Sequence, residues 1–146
     1  MTNASIAFAA QDVGTAFPGW MAFMPARPQA PRVPEWSGRG LAPWQLRRVA
    51  DYVRANLDQP ISLAALAELA RLSRFHFCTA FRHATGQTPG DWVTDERIRR
   101  AAELLDQHEL SITEIALEVG YETPSSFTAR FRQRMGVTPS EYRRTL

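Results

Sequence analysis

Lysine is absent from the chain: all 17 basic side chains among the 146 residues are arginine, set against 15 acidic ones. The formal sum is +2, and a value so near zero neither supports nor excludes a polyanionic partner, because the position of each charge decides. Cysteine is nearly absent. Cys78 alone excludes an intrachain disulfide and any all-cysteine zinc site, and it fits a reducing compartment. No apolar run approaches the ~18 residues of a membrane-spanning helix. No basic segment precedes an apolar one at the N-terminus, where a secretory signal would stand. The expected location is the cytoplasm. What is present is a core: 45% of residues are hydrophobic, with four Trp and eight Phe. The length allows one ordinary domain, or a smaller one with a tail.

The composition changes near residue 40. Residues 1–40 hold five of the ten prolines, Pro18, Pro25, Pro28, Pro31 and Pro34. Each proline removes a donor and restricts the residue before it, so no helical period survives. The expectation for 1–40 is a proline-rich, largely disordered arm. Its bulky residues, Phe17, Trp20, Met21, Phe23, Met24 and Trp36, are either scattered linker groups or, over 17–24, a docking segment.

From Ala42 onward the pattern is helical, with no strand signal of comparable length. Pro43 suits a first helical position, and Leu46, Val49, Val53 and Leu57 recur at three- and four-residue spacing. Ser62 is an N-cap candidate before Leu63, Leu66 and Leu69. A helix over 74–84 stops at Gly86, and Pro89 opens a longer one through Leu105. Ser111 with Glu114 forms a capping box before Ile112, Ile115, Ala116 and Val119. Helices over 124–135 and from Pro139 complete an all-α chain of seven helices.

Residues 62–92 and 111–142 repeat one another. Ser62, Leu66 and Ala67 match Ser111, Ile115 and Ala116 at an offset of 49. Phe77, Phe81, Gly86, Pro89 and Trp92 match Phe127, Phe131, Gly136, Pro139 and Tyr142 at an offset of 50. The slip of one residue falls in the turn between the two helices of each unit. The small Ala67 and Ala116 mark close helix contact. The paired Phe side chains at four-residue spacing aim at one packed face, so they are core rather than a stacking platform. Each unit has the order of a helix-turn-helix, whose second helix enters a DNA major groove.

Charge is segregated along the same units. Residues 71–83 carry Arg71, Arg74 and Arg82 with no acid, and 125–146 carry Arg130, Arg132, Arg134, Arg143 and Arg144 with one acid. Residues 91–122 hold nine of the acids and three arginines. Phosphate contacts with counterion release need such clustering.

On these residues, 42–146 resemble the DNA-binding domain of the AraC/XylS family of bacterial transcription regulators. The most specific portion is 115–144, with Ala116, Gly120, Tyr121, Phe127, Phe131, Gly136, Pro139, Tyr142 and Arg143. Pro89, Trp92, Arg97, Ile98, Ala101, Leu104 and Leu105 match the family's connecting helix. The resemblance implies a DNA-binding domain over 41–146. Its parts are a first helix-turn-helix subdomain over 41–87, a connecting helix over 88–106 and a second subdomain over 107–146. It also implies a nucleoid-associated, sequence-specific regulator, an activator in most such members, with double-stranded DNA and RNA polymerase as partners. The recognition helices are expected in successive major grooves ~34 Å apart.

The resemblance places base reading on Phe75, Cys78 and Thr79 in the first unit, and on Pro124, Ser125, Thr128 and Ala129 in the second. Many members have arginine where Thr79 and Ala129 stand, so the bidentate guanine contact is missing here. Readout through thymine methyls, hydroxyls and DNA shape is expected instead, with Arg74 and His76 as substitutes. Phosphate contacts are expected from Arg82, Arg132 and Arg134, and from backbone N–H groups near Ser62 and Ser111.

Forty proline-rich residues are too few for an effector domain. A monomer with no small-molecule pocket, no cofactor and no enzymatic activity is the expectation. His76, Cys78 and His83 are the only metal or nucleophile candidates, and Cys78 lies about 200° around a helix from His76. The alternative left open is a degenerate helix-turn-helix that binds protein rather than specific DNA.

Overall fold

The structure is a computed structural model that describes residues 38–146. The arm expected over 1–40, with its candidate docking segment, lies outside the described residues but for its last three. Seven helices follow in chain order: α1 (Pro43–Ala55), α2 (Leu63–Leu69), α3 (Arg74–Thr85), α4 (Pro89–Gln107), α5 (Ile112–Glu118), α6 (Pro124–Met135) and α7 (Pro139–Arg144). No strand occurs among the described residues.

Local chemistry sets the boundaries. Pro43, Pro89, Pro124 and Pro139 occupy the opening turns of their helices, where a missing N–H costs nothing. Hydroxyls of Ser62, Ser73, Thr88, Ser111, Thr123 and Thr138 each accept the backbone N–H three residues on. Ser111–Glu114 and Thr138–Glu141 close reciprocal boxes. Ala42 has no capping hydroxyl, and Gln45 replaces it. Gln45 Oε1 accepts the Ala42 N–H at 2.8 Å, while its Nε2 donates to the Ala70 carbonyl at 2.7 Å.

Two hydrophobic cores form. The first gathers Leu41, Val49, Val53, Leu66, Ala67, Phe77, Phe81 and Trp92; the second gathers Ile98, Ala101, Leu105, Ile115, Ala116, Phe127, Phe131 and Tyr142. All four repeat phenylalanines are fully buried, as the four-residue spacing requires. The ring ladders correspond. Phe77, Phe81 and Trp92 follow one another at 5.5 and 5.6 Å between centroids, and Phe127, Phe131 and Tyr142 at 5.6 Å throughout. Edge and tilted approaches at this distance suit the ring quadrupoles.

The turns inside the units share a hydrogen-bond plan. Leu72 N–H donates to the Ala67 carbonyl at 3.0 Å, and Tyr121 N–H to the Ala116 carbonyl at 2.9 Å. Each turn needs one left-handed residue, Arg71 (φ 56°) in the first and Gly120 (φ 82°) in the second. Arg71 is exposed and lies 6.0 Å from the Trp44 ring centroid. Gly120 has no room for a side chain, since a Cβ there would sit 2.2 Å from the Leu57 carbonyl oxygen. The second turn is therefore restricted to glycine by a close approach from the first core's side of the molecule.

This contrast yields a stability prediction. Gly120→Ala must displace backbone as well as strain φ, at about 2–4 kcal/mol. Gly86→Ala adds strain in open space, at about 1–2 kcal/mol. Denaturant unfolding of the two variants side by side measures the difference.

Candidate nucleic-acid interface

The second helix of each unit, α3 or α6, buries one face and exposes the other. On α3, Phe77 and Phe81 point into the core, so Arg74, Phe75, His76, Thr79, Arg82 and His83 are exposed and Cys78 is half-buried. On α6, Phe127 and Phe131 point inward, so Pro124, Ser125, Ala129, Arg130 and Arg132 are exposed and Thr128 is half-buried. Each set of base-reading candidates thus lies on one helix, on or beside its exposed side.

Hydrogen bonds restrict what some of these groups can offer. Thr79 Oγ1 donates to the Phe75 carbonyl at 3.2 Å, so its proton is spent within the helix. His76 Nδ1 lies 2.9 Å from the Ser73 hydroxyl, which leaves Nε2 outward-facing chemistry. Phe75 is 77% exposed, its ring centroid 5.9 Å from that of His76 in an edge-on approach. The first reading face is therefore mainly apolar. The second is small: proline, serine, threonine and alanine.

The arginines separate into two groups. Arg74, Arg82 and Arg132 are exposed and make no salt bridge among the described residues. Arg130 bonds only Gln133 Oε1, at 2.9 Å. Arg143 turns inward, its Nη2 donating to the Leu110 carbonyl at 2.6 Å, while Arg71 lies over the Trp44 ring but stays exposed, as does Arg144. Arg134, a phosphate candidate by sequence, instead bridges α6 to α4 through Asp91 at 2.9 Å and Asp95 at 3.2 Å. The Thr88 hydrogen bond, aided by Arg134, lowers the Asp91 carboxyl pKa, whereas burial raises that of Asp95 against the same guanidinium. Arg134 remains a candidate only if DNA displaces both carboxylates, the exposed Asp91 and the more buried Asp95.

Ser62 and Ser111 head α2 and α5 and are both exposed. They differ in charge. The first turn of α2 has no acid. At α5 the Glu114 carboxylate accepts the Ser111 N–H at 2.8 Å, and the Ser111 bonds hold its pKa low. An anion already occupies that donor, so Ser111 is the weaker phosphate candidate of the pair. No group of three or more His, Cys, Asp or Glu side chains converges as a metal site among the described residues. None of their helices is long and apolar enough to cross a membrane.

Two equivalent exposed helices on matched cores describe a double helix-turn-helix. The sequence profile of the helix-turn-helix domain family matches residues 66–145. The chain belongs to the AraC/XylS family of helix-turn-helix transcription regulators. Regulatory protein SoxS of Escherichia coli is 33% identical over 95 residues, 65% of this chain and 89% of SoxS. An HTH-type transcriptional regulator of Haemophilus influenzae is 37% identical over 105 residues, 70% of this chain. The chain spans about a third of that regulator and of another from Bacillus subtilis. Among solved structures, the C-terminal domain of AraT, a response regulator of Geobacillus stearothermophilus, matches with a TM-score of 0.67 and 36% identity. That match covers 73% of this chain and 88% of AraT's. The DNA-binding domain of AdpA, solved in complex with a target DNA, matches with a TM-score of 0.65 and 30% identity, over 69% of this chain and 91% of AdpA's.

In this AraC/XylS member, the inward arginine separates from the outward ones by stability. Arg134→Ala is expected to lower unfolding free energy by about 1 kcal/mol or more. Arg132→Ala should stay within about 0.5 kcal/mol. Thermal unfolding at matched ionic strength reads both.

Proposed function

We propose that this chain is a sequence-specific DNA-binding regulator that lays α3 and α6 in successive major grooves on one face of the duplex. The observation that carries the reading is the pair of equivalent exposed helices, carrying Arg74, Arg82, Arg130 and Arg132, which are exposed and form no salt bridge among the described residues. Arg82 and Arg132 fall at matched positions at an offset of 50 and serve as phosphate contacts, joined by Arg74 and Arg130. Ser62, at the acid-free start of α2, adds a backbone contact. Phe75, Cys78 and Thr79 read the first half-site, and Ser125, Thr128, Ala129 and Pro124 the second. With no arginine at Thr79 or Ala129, recognition rests on thymine methyls and on DNA shape.

On this reading residues 41–146 are the DNA-binding unit. It acts in the cytoplasm at the nucleoid, as a monomer on an asymmetric site, and has no catalytic role. Activation through contact with RNA polymerase is the mode most such regulators use, and AdpA's target DNA complex supports duplex DNA as the partner.

Binding to mixed-sequence duplex, followed by fluorescence anisotropy across a salt series, tests the proposal. Four phosphate-contacting arginines predict log affinity falling against log salt with a slope of about −3 to −5, and Arg82→Ala or Arg132→Ala should each flatten it by about one. No binding at low salt sinks the reading in favour of a protein-interaction module. For base reading, a selected site with deoxyuridine in place of thymine should bind about threefold to tenfold more weakly. Phe75→Ala should abolish that sensitivity. Equal affinity for both duplexes would remove the methyl contact from the account.

A further inference from the structure

The two cores share no apolar side chain. Trp92 belongs to the first and Ile98 to the second, and the helix between them carries Thr94, Asp95, Glu96 and Arg97. Arg97 is the group that reaches both sides. Its Nη2 donates to the Gln59 carbonyl at 2.9 Å, in the connection between α1 and α2. Its Nη1 donates to the Gly120 carbonyl at 3.3 Å, in the turn between α5 and α6. The guanidinium also lies 5.8 Å from the centroid of the Tyr121 ring, which packs on Phe127 of α6. Gly120 approaches Leu57 too closely to admit a Cβ. A planar guanidinium with fixed donor directions thus holds two backbone carbonyls, one from each unit.

We propose that Arg97 is a positioning residue that sets the separation and rotation of α3 relative to α6. It thereby sets the base-pair spacing between half-sites that the protein accepts. The spacing part rests on the DNA reading above; the positioning part does not. One base pair moves a half-site by about 3.4 Å and turns it by about 35°, so a fixed joint discriminates strongly. The other cross-tie, Arg134 with Asp91 and Asp95, involves a largely exposed Asp91 carboxylate and weakens with salt. Charge-assisted bonds to two carbonyls persist under the same conditions.

The test uses the full chain with Cys78→Ser, His83→Cys and Gln133→Cys, spin-labelled on the exposed ends of α3 and α6. Pulsed dipolar spectroscopy should give one narrow distance distribution. Arg97→Met should broaden or displace it, and Arg97→Lys, which keeps a cation able to reach one carbonyl, should fall between. An unchanged distribution in a folded Arg97→Met protein overturns the proposal. If circular dichroism shows Arg97→Met unfolded, Arg97→Lys decides by the same width. In the second arm, selected half-sites are respaced by one base pair in either direction. The parent should lose about tenfold or more in affinity, and Arg97→Met should lose no more than about threefold. Equal spacing profiles overturn the spacing claim. A parent that binds no duplex at low salt overturns the DNA reading alone, while the label distances still decide the role of Arg97.

Discussion

The molecule depends on α4 being one helix with two owners. Its first turns supply Trp92 to the aromatic ladder of the first core, and its later turns supply Ile98, Ala101, Leu104 and Leu105 to the second. It is the closing helix of one unit and the opening helix of the next. α7 closes the second unit with Tyr142 as α4 closes the first with Trp92. Because an unbroken helix has fixed rise and twist per residue, the two cores cannot shift register independently. The middle of α4 is where the cost of sharing appears. It carries charge, and Glu96, buried, is held by Arg54 at 3.1 Å and by Arg99. A buried carboxylate between two guanidiniums gives this joint a defined geometry where apolar packing would slide.

Duplication of a unit gives two turns with the same hydrogen bonds but not the same surroundings. The first holds an exposed arginine at its left-handed position. The second is pressed against the carbonyl of Leu57 and accepts only glycine. Tyr121, the counterpart of Leu72, meets the guanidinium of Arg97 and the ring of Phe127. Divergence between the repeats is therefore concentrated where one unit meets the other, and conservation of pattern where each unit meets its own core.

The same distinction explains what the sequence disclosed. Helix limits were legible because proline, glycine and hydroxyl caps act within four residues of where they stand. The cores were legible because a Phe pair at four-residue spacing has one buried solution. The capping hydroxyls of Ser73, Thr88, Thr123 and Thr138 were equally local and could have been found by the same rule. The fate of the arginines was not legible. Arg97, Arg134 and Arg143 meet partners 23 to 43 residues away in sequence. A count of charge along the chain assigns all arginines near α6 to one basic face, although Arg134 and Arg143 stabilise the fold. The asymmetry between Ser62 and Ser111 was also hidden, since Glu114 was read as a cap and not as an anion competing for the same N–H.

Once the inward arginines are removed, affinity and selectivity fall to different atoms. Under the proposed DNA reading, the exposed Arg74, Arg82, Arg130 and Arg132 of α3 and α6 lie beyond or beside the reading positions, where they can meet phosphates but carry no sequence information. The reading positions themselves have no charge at Phe75, Cys78, Thr79, Ser125, Thr128 or Ala129. Under the proposed DNA reading, a helix that offers a phenyl ring and a methyl group discriminates by fit against thymine's methyl, and a helix of serine, threonine and alanine allows close approach without a long reach. On that reading the two units are unequal readers on equal scaffolds. Their inequality would then give the bound protein a direction along the duplex, which a symmetric pair of helices would lack.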